Sequence, residues 1–257
     1  MKILLHSSKT MKPTVTSVYS LTTPQCVDQA AYLNGMLRSL TTDDLAKLMV
    51  ITAKLAATVK ERIDEWSATG GTAAALTFRG DIYSGLCADQ WGSDAAEFAQ
   101  NHLLILSGLY GLLRPFDAIH PYRLEMGYKL MIDGVRLDTY WTRQLVGKLD
   151  TKDVYINLTS DEYFKVIKDQ LRGATVISPK FLTVNKTTGQ PIFVTVHAKI
   201  ARGSFANWLI TNWIDDLARL SEYNELNYVY DPDRSTGTEP VFVCNEFGGL
   251  GLSVRLR

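Results

Sequence analysis

The chain has 257 residues, of which 46% are apolar and 21% are charged, as is usual for a soluble globular protein with a continuous core. Lysine and arginine together number 27, and so do aspartate and glutamate, so the formal net charge is zero. This balance excludes a uniformly basic nucleic-acid-binding surface, but it allows a cleft that is basic locally.

The first half of the chain alternates between apolar runs and amphipathic segments. An apolar run at residues 2–6 predicts a buried strand, and Thr23 and Pro24 predict the start of a helix that runs to about Leu40. Apolar residues at three- and four-residue spacing predict one long helix over residues 41–66. Further runs predict a strand at 73–78, a short helix at 94–100 and a third strand at 103–108.

The second half continues this alternation. We predict strands at 153–160, 175–184 and 191–199, helices at 161–171 and 201–220, and a closing hairpin at 228–244. The glycine-rich tail from Phe247 is expected to fray. Alternating strands and helices favour an α/β fold, here a single compact domain over residues 1–257 with a central mixed sheet flanked by helices.

Polar and charged residues follow each of five predicted strands. In an open α/β sheet, ligands bind beyond the carboxyl ends of the strands, so we expect these residues to converge on one cleft. The alternative is that each charge lies on a separate solvated loop. The expected cations are Lys9, Arg79, Arg114, Arg123, Lys165, Lys199 and Arg202, and the expected acids are Asp81, Glu125, Asp161 and Glu162.

The segment LSGLYGLLRPFDAIHPYRLEMG, residues 106–127, combines glycines and prolines with charged side chains. Glycine tolerates positive φ, and a turn after a strand exposes N–H groups that bind phosphate. We therefore interpret Ser107, Gly108 and Gly111 as candidate anion-binding positions. The segment is expected to hold Arg114, Arg123 and Glu125 in place.

Metal and cofactor chemistry is not predicted. The four histidines lack the spacing of metal ligands, although His6 and His197 fall at predicted strand ends near the cleft. The three cysteines are widely spaced and are interpreted as reduced, buried thiols. The N-terminal apolar run is too short for a signal peptide or a membrane span, so we expect a cytoplasmic protein without membrane contact.

Six stretches together resemble the YaaA family, bacterial proteins linked to resistance to peroxide stress. They are SSKT near the start, FRGDIYSGL at 78–86, LSGLYGLLRP at 106–115, PYRLEMG at 121–127, INLTSDEYFK at 156–165 and AKIARG at 198–203. The resemblance implies an α/β fold of its own type with a positively charged cleft and a helix-hairpin-helix element, which we place around Ser107–Gly111. It also implies DNA binding that limits oxidative DNA damage when intracellular iron rises.

Two functions remain open at this point. In the first, the cleft binds the phosphates of double-stranded or branched DNA through Lys9, Arg79, Arg114, Arg123, Lys165, Lys199 and Arg202. In the second, an enzyme acts on a small anionic substrate, because interleaved acids and lysines are how proton-transfer groups acquire shifted pKa values. The candidate catalytic residues are then Lys9, Asp81, Glu125, Asp161 and Lys199. A direct iron site is the weakest alternative.

Overall fold

The computed structural model describes residues 1–15 and 19–249. These residues form α-helices and three short 3-10 helices. The α-helices are numbered in chain order. They are α1 (Val27–Arg38), α2 (Thr42–Met49), α3 (Ala53–Glu65), α4 (Ala74–Thr77), α5 (Asp81–Leu86), α6 (Ser93–His102), α7 (Leu137–Gln144), α8 (Asp161–Phe164) and α9 (Thr195–Thr211).

The strands of the described residues are numbered in the same way. They are β1 (Lys2–His6), β2 (Thr10–Met11), β3 (Thr72–Ala73), β4 (Phe78–Arg79), β5 (Leu103–Ser107), β6 (Gly111–Leu113), β7 (Ala118–Ile119), β8 (Met131–Ile132), β9 (Val135–Arg136), β10 (Val154–Asn157), β11 (Thr175–Ile177), β12 (Lys180–Val184), β13 (Pro191–Ile192), β14 (Val229–Tyr230) and β15 (Val241–Cys244).

A central mixed sheet flanked by helices confirms the predicted α/β class. Its order is β11-β10-β1-β5-β6, with the first four strands parallel and β6 antiparallel at the edge. The apolar centres of β1, β5 and β10 are buried, as expected for parallel strands that are covered on both faces. The chain leaves β1 for β5 on one side and β10 for β11 on the other, so β1 and β10 flank a topological switch point.

A second sheet has the order β13-β12-β15-β14. The predicted closing hairpin is confirmed, because β14 and β15 pair antiparallel. Aromatic side chains of this sheet, such as Phe181 and Phe242, belong to the same buried cluster as Ile3 and Leu4 of the central sheet. The predicted fraying tail lies mainly beyond residue 249, outside the described residues.

Several predicted elements differ from the structure. The predicted strand at 175–184 is divided between β11 of the central sheet and β12 of the second sheet, and the predicted helix at 161–171 ends at Phe164. Residues 41–66 form two helices, because Val50 adopts a left-handed conformation and Thr52 caps α3. Residues 73–78 are not a strand of the central sheet, since their alanine-rich centre forms α4. The predicted strand at 191–199 ends at Ile192, and α9 begins at Thr195.

Residues 103–113 form a β-hairpin. Ser107 pairs with Gly111 across the antiparallel β5–β6 ladder, and the turn between them is tightly packed. A Cβ on Gly108 would lie 2.1 Å from the Leu124 carbonyl oxygen, and the Trp141 indole N–H donates to the Gly108 carbonyl at 2.8 Å. The helix-hairpin-helix element that we placed around Ser107–Gly111 is therefore wrong at this position.

Helices α5 and α9 cross with their backbones in contact. A Cβ on Gly85 would lie 2.1 Å from the Ile200 carbonyl oxygen, and a Cβ on Gly203 would lie 1.8 Å from the Ile82 carbonyl oxygen. Real Cβ atoms do not approach other atoms so closely, so both positions require glycine. This crossing sets the position of the N-terminal end of α5 relative to the first turns of α9.

In the part of the chain that the structure describes, no helix combines the length and apolar character needed to span a bilayer.

The helix crossing predicts opposite effects for one substitution at two helical glycines. Gly203→Ala should destabilise the protein by about 1–3 kcal/mol or more, because the added methyl group overlaps the backbone of α5. Gly35→Ala should stabilise it by about 0.5–1 kcal/mol, because Gly35 is exposed within α1 and a Cβ there would have no atom within 4 Å. Urea unfolding of both variants checks this, and equal effects of the two substitutions would contradict the crossing.

Candidate anion-binding cavity

A cavity of about 500 Å³ lies beyond the carboxyl ends of β1 and β10. This is the edge at which a doubly wound sheet binds ligands, and the volume falls in the usual range for small-molecule sites. Five separate segments contribute to its walls. The lining residues are His6, Ser7, Ser8, Lys9, Thr10, Arg79, Gly80, Asp81, Ile82, Tyr83, Glu125, Ser160, Glu162, Tyr163 and Lys199.

Different elements bring the charged lining residues together. Lys9 lies in the loop after β1, Glu125 in the loop after β7, and Glu162 at the start of α8. Arg79 lies at the cavity because β4 pairs with β2, and this pairing places Arg79 opposite Thr10. Three cations and three carboxylates therefore line the cavity, so the predicted basic majority is absent from the lining itself.

Aromatic and hydroxyl groups form the inner part of the cavity. The His6 ring stacks on Tyr163 with centroids 4.8 Å apart, and Ser7 Oγ lies 3.1 Å from the Tyr163 hydroxyl. The Tyr83 hydroxyl donates to the His6 carbonyl oxygen at 3.0 Å. These contacts fix the loop that follows β1, and with it the position of Lys9.

His6 is held in its neutral form. Burial lowers its pKa to about 3, and the positive charges of Arg202 and Lys199 contribute to the shift. The Nδ1 atom is buried and has no hydrogen-bond partner among residues 1–15 and 19–249. A neutral imidazole at this position can accept or donate a hydrogen bond without adding charge to the cavity.

Glu125 favours its protonated form more than a solvated carboxyl group does. Burial raises its pKa, and the charge of Glu162 raises it further, against the opposing effects of Lys9, Tyr163 and Arg123. A carboxyl group with a raised pKa in a cavity is suited to holding and releasing a proton.

Glu162 anchors the segment that carries Glu125. Its Oε1 accepts a hydrogen bond from the Gly127 backbone N–H at 2.7 Å. A Cβ on Gly127 would lie 2.8 Å from the same oxygen, so a larger residue would displace this carboxylate. The contact joins the 121–127 segment to α8 at the rim of the cavity.

The structure places the predicted site residues in three groups. The first group lines the cavity and consists of Lys9, Arg79, Asp81, Glu125, Glu162 and Lys199. The second group lies next to the cavity and shifts pKa values through charge. Arg123 lowers the pKa of Glu125, Arg202 lowers the pKa of His6, and Asp161 raises the pKa of Arg202.

The third group lies elsewhere. Arg114 pairs with the fully buried Asp117 at 3.0 Å, within a turn that this carboxylate organises. Lys165 pairs with Asp138 at 2.7 Å. Both cations therefore form ion pairs within the protein and do not line the cavity. The strand-end pattern of the sequence does not predict these pairs.

The glycine turn after β5 also has a structural role. The Ser107 hydroxyl accepts from the Tyr110 N–H at 2.9 Å and lies 2.7 Å from the Tyr122 hydroxyl. Gly111 packs against the Trp141 ring, where a Cβ would lie 2.3 Å from a ring carbon. Ser107, Gly108 and Gly111 are thus enclosed by protein, and the structure does not bring them into the cavity.

Two further side chains are more constrained than the sequence indicates. The Arg79 guanidinium donates to the Leu76 and Phe78 carbonyl oxygens and to the Thr14 hydroxyl, so a large part of its donor capacity is used by the protein. His197 lies in α9 rather than at a strand end, with Nδ1 2.9 Å from Thr183 Oγ1, and does not line the cavity.

Sequence reasoning left several lining residues out of the predicted site. His6 ends β1 and Ser7 and Ser8 follow it directly, so the strand-end position that indicates Lys9 indicates them as well. Tyr83 and Tyr163 are buried, and their hydroxyl groups fix the cavity loops. Among the residues described, no group of three or more His, Cys, Asp or Glu side chains is arranged to hold a metal ion.

Known proteins are similar to this chain over most or all of its length. The family model described as peroxide stress protein YaaA matches residues 1–234. A UPF0246 protein of Salinispora tropica is 42% identical over 259 residues, covering 99% of this chain and 98% of the relative. UPF0246 proteins of Shewanella baltica and Shewanella woodyi are 38% and 36% identical, each covering 96% of this chain and all of the relative.

The fold and the cavity define an α/β protein with a charged pocket at the switch point of its central sheet. The chain belongs to the peroxide stress protein YaaA family.

The neutral His6 predicts a specific pH dependence of stability. When the pH falls from 7 to 5, the unfolded chain binds a proton at this residue and the folded chain does not. His6 should therefore make the free energy of unfolding about 2 kcal/mol lower at pH 5 than at pH 7. His6→Phe keeps an aromatic ring against Tyr163 and should remove this part of the pH dependence. Tyr83→Phe, which removes only a hydroxyl group next to His6, should retain it. Urea unfolding at pH 7 and pH 5 checks this, and an unchanged pH dependence in His6→Phe would contradict the assignment.

Proposed function

We propose that this member of the peroxide stress family binds DNA at the charged cavity and thereby helps to limit iron-driven oxidative DNA damage. The observation that supports the proposal is the convergence of Lys9, Arg79 and Lys199 on one cavity from three distant segments. Lys9 and Lys199 are exposed, so their ammonium groups are accessible to a phosphate backbone. Arg123 and Arg202 add positive charge next to the walls.

In this proposal the lysines supply most of the affinity. An ammonium group at the cavity rim attracts a phosphate without fixing the sequence of the DNA, as phosphate contacts generally do. The carboxylates that share the lining oppose binding, so the interaction is expected to be modest and strongly salt-dependent. Double-stranded and branched DNA are both candidate partners.

A second candidate function is an enzyme acting on a small anionic substrate, one that bears a phosphate or a carboxylate. The observation that favours it is the equal number of acids and cations in the lining, which phosphate binding alone does not require. The raised pKa of Glu125, caused mainly by burial, suits it to proton transfer, and Lys9 lies close enough to act on its charge. Here Lys9 and Lys199 bind the substrate, and Glu125 exchanges a proton with it. Asp81 also lines the cavity, and Asp161 supports Arg202.

DNA binding is tested by measuring affinity for duplex and branched DNA across a salt series that starts at 50 mM. Each lysine that contacts a phosphate should contribute about 0.9 to the slope of log affinity against log salt concentration. Lys9→Ala and Lys199→Ala should each reduce the slope by about this amount, and Lys54→Ala, on the exposed surface of α3, should leave it unchanged.

The same experiment separates the two candidates. If neither DNA form binds at 50 mM salt while sulfate raises the melting temperature of the protein, the small-substrate function is supported instead. If DNA binds but neither cavity lysine changes the slope, the cavity is not the DNA site.

A further inference from the structure

The charges of the cavity lining cancel when all of them are ionised. Asp81, Glu125 and Glu162 match the cations Lys9, Arg79 and Lys199 in number. Because Arg79 already donates three hydrogen bonds to protein acceptors, the donors available to a ligand come mainly from the two lysines. An incoming anion therefore meets little net attraction from the lining, and it meets repulsion from three carboxylates.

Neutralising one carboxylate would change this balance. A single proton leaves the lining with one net positive charge and removes one source of repulsion at close range. The question is then which carboxylate is placed to accept a proton when an anion enters.

Glu125 is the best-placed of the three acids. It is half-buried, whereas Glu162 is exposed and its Oε1 already accepts the Gly127 N–H. Asp81, which is also half-buried, is the first residue of α5. Glu125 is the acid on which Lys9 and Glu162 of the lining both act through charge. The charged and titratable groups around Glu125 come from every segment packed against it: Lys9 after β1, Glu162 and Tyr163 of α8, and Tyr122, Arg123 and Tyr128 of its own segment.

We propose that the cavity binds an anion together with one proton, and that the Glu125 carboxylate takes up this proton from solvent. The reaction is a simple association: the carboxylate gains a proton to become a neutral carboxyl group, and the anion occupies the space near Lys9 and Lys199. No electron transfer or second reactant is involved. The inference rests on the proposed anion binding at this cavity and specifies how that binding is regulated.

Burial, and after it the charge of Glu162, raise the pKa of Glu125 above that of a solvated carboxyl group. An anion nearby raises this pKa further. Below the pKa of Glu125 the group is already protonated, so binding takes up no proton and affinity is highest. Between this pKa and the higher pKa that Glu125 has in the complex, each binding event takes up one proton, so affinity falls by up to tenfold for each unit of pH.

The test uses two probes that do not titrate between pH 5 and pH 8: sulfate and a short DNA duplex. Calorimetric titration of the full-length protein in two buffers of different ionisation enthalpy measures both affinity and proton uptake. We expect sulfate affinity to fall as pH rises and proton uptake to approach one per site. Glu125→Gln, a neutral isostere of the protonated form, should bind with high affinity at every pH and take up no proton.

Two control variants separate Glu125 from general charge effects. Glu162→Gln should keep the proton uptake but move its midpoint to lower pH, because the charge of Glu162 helps to raise the pKa of Glu125. Glu61→Gln, on the exposed surface of α3, should behave like the wild type. The melting temperature of each variant establishes that it is folded.

The outcomes distinguish this inference from the function on which it rests. Binding of sulfate or DNA with pH-independent affinity and no proton uptake would overturn the coupling while leaving anion binding intact. Proton uptake that persists in Glu125→Gln would show that another group carries the proton. Failure of both probes to bind the wild type anywhere between pH 5 and pH 8 would overturn both proposals.

Discussion

Parallel pairing of β1 with β10 is the interaction on which the cavity depends. The ladder joins Ile3 to Ile156, residues that are far apart in the sequence, and hydrogen bonding continues beyond it with the Leu158 N–H donating to the Leu4 carbonyl oxygen at 3.0 Å. On the other side of β1, the Ser7 N–H donates to the Leu106 carbonyl oxygen at 2.8 Å. The backbone is therefore fixed up to the first residues of the cavity. Lys9 and Glu162 line the same cavity because the strands that precede them, β1 and β10, end side by side.

The crossing of α5 and α9 supplies the opposite wall. Since Gly85 and Gly203 bring the two backbones into contact, Asp81 and Lys199 lie at the same cavity although they belong to helices rather than to strand ends. The charge pattern follows from these two constraints. Cations and carboxylates are placed close together at a site where burial shifts the pKa values of His6 and Glu125. A site of this kind shifts the protonation equilibria of its own residues.

The buried strands β1, β5 and β10 could be predicted from the sequence because each is a short run of large apolar residues, such as LLIL, bounded by polar residues. The run at 73–78 differs because alanine is the strongest helix former, and its alanine-rich centre forms α4. The structure brings six of the predicted charged residues to one cavity, namely Lys9, Arg79, Asp81, Glu125, Glu162 and Lys199. The predicted convergence fails for Arg114 and Lys165, whose partners Asp117 and Asp138 are fixed by a turn and by tertiary packing. Lys199 lies in α9 and is placed at the cavity by the crossing of α5 and α9. Its position therefore does not follow from the rule that ligands bind at strand ends.

The central claim is that an anion occupies the cavity between Lys9 and Lys199. The most direct measurement is a crystal structure of the protein soaked in selenate at pH 5, with diffraction recorded at the selenium absorption edge. An anomalous peak within contact distance of both ammonium groups is the predicted result, and it should weaken in crystals soaked at pH 8. Selenate bound only at other surfaces, with none in this cavity at either pH, would contradict the claim.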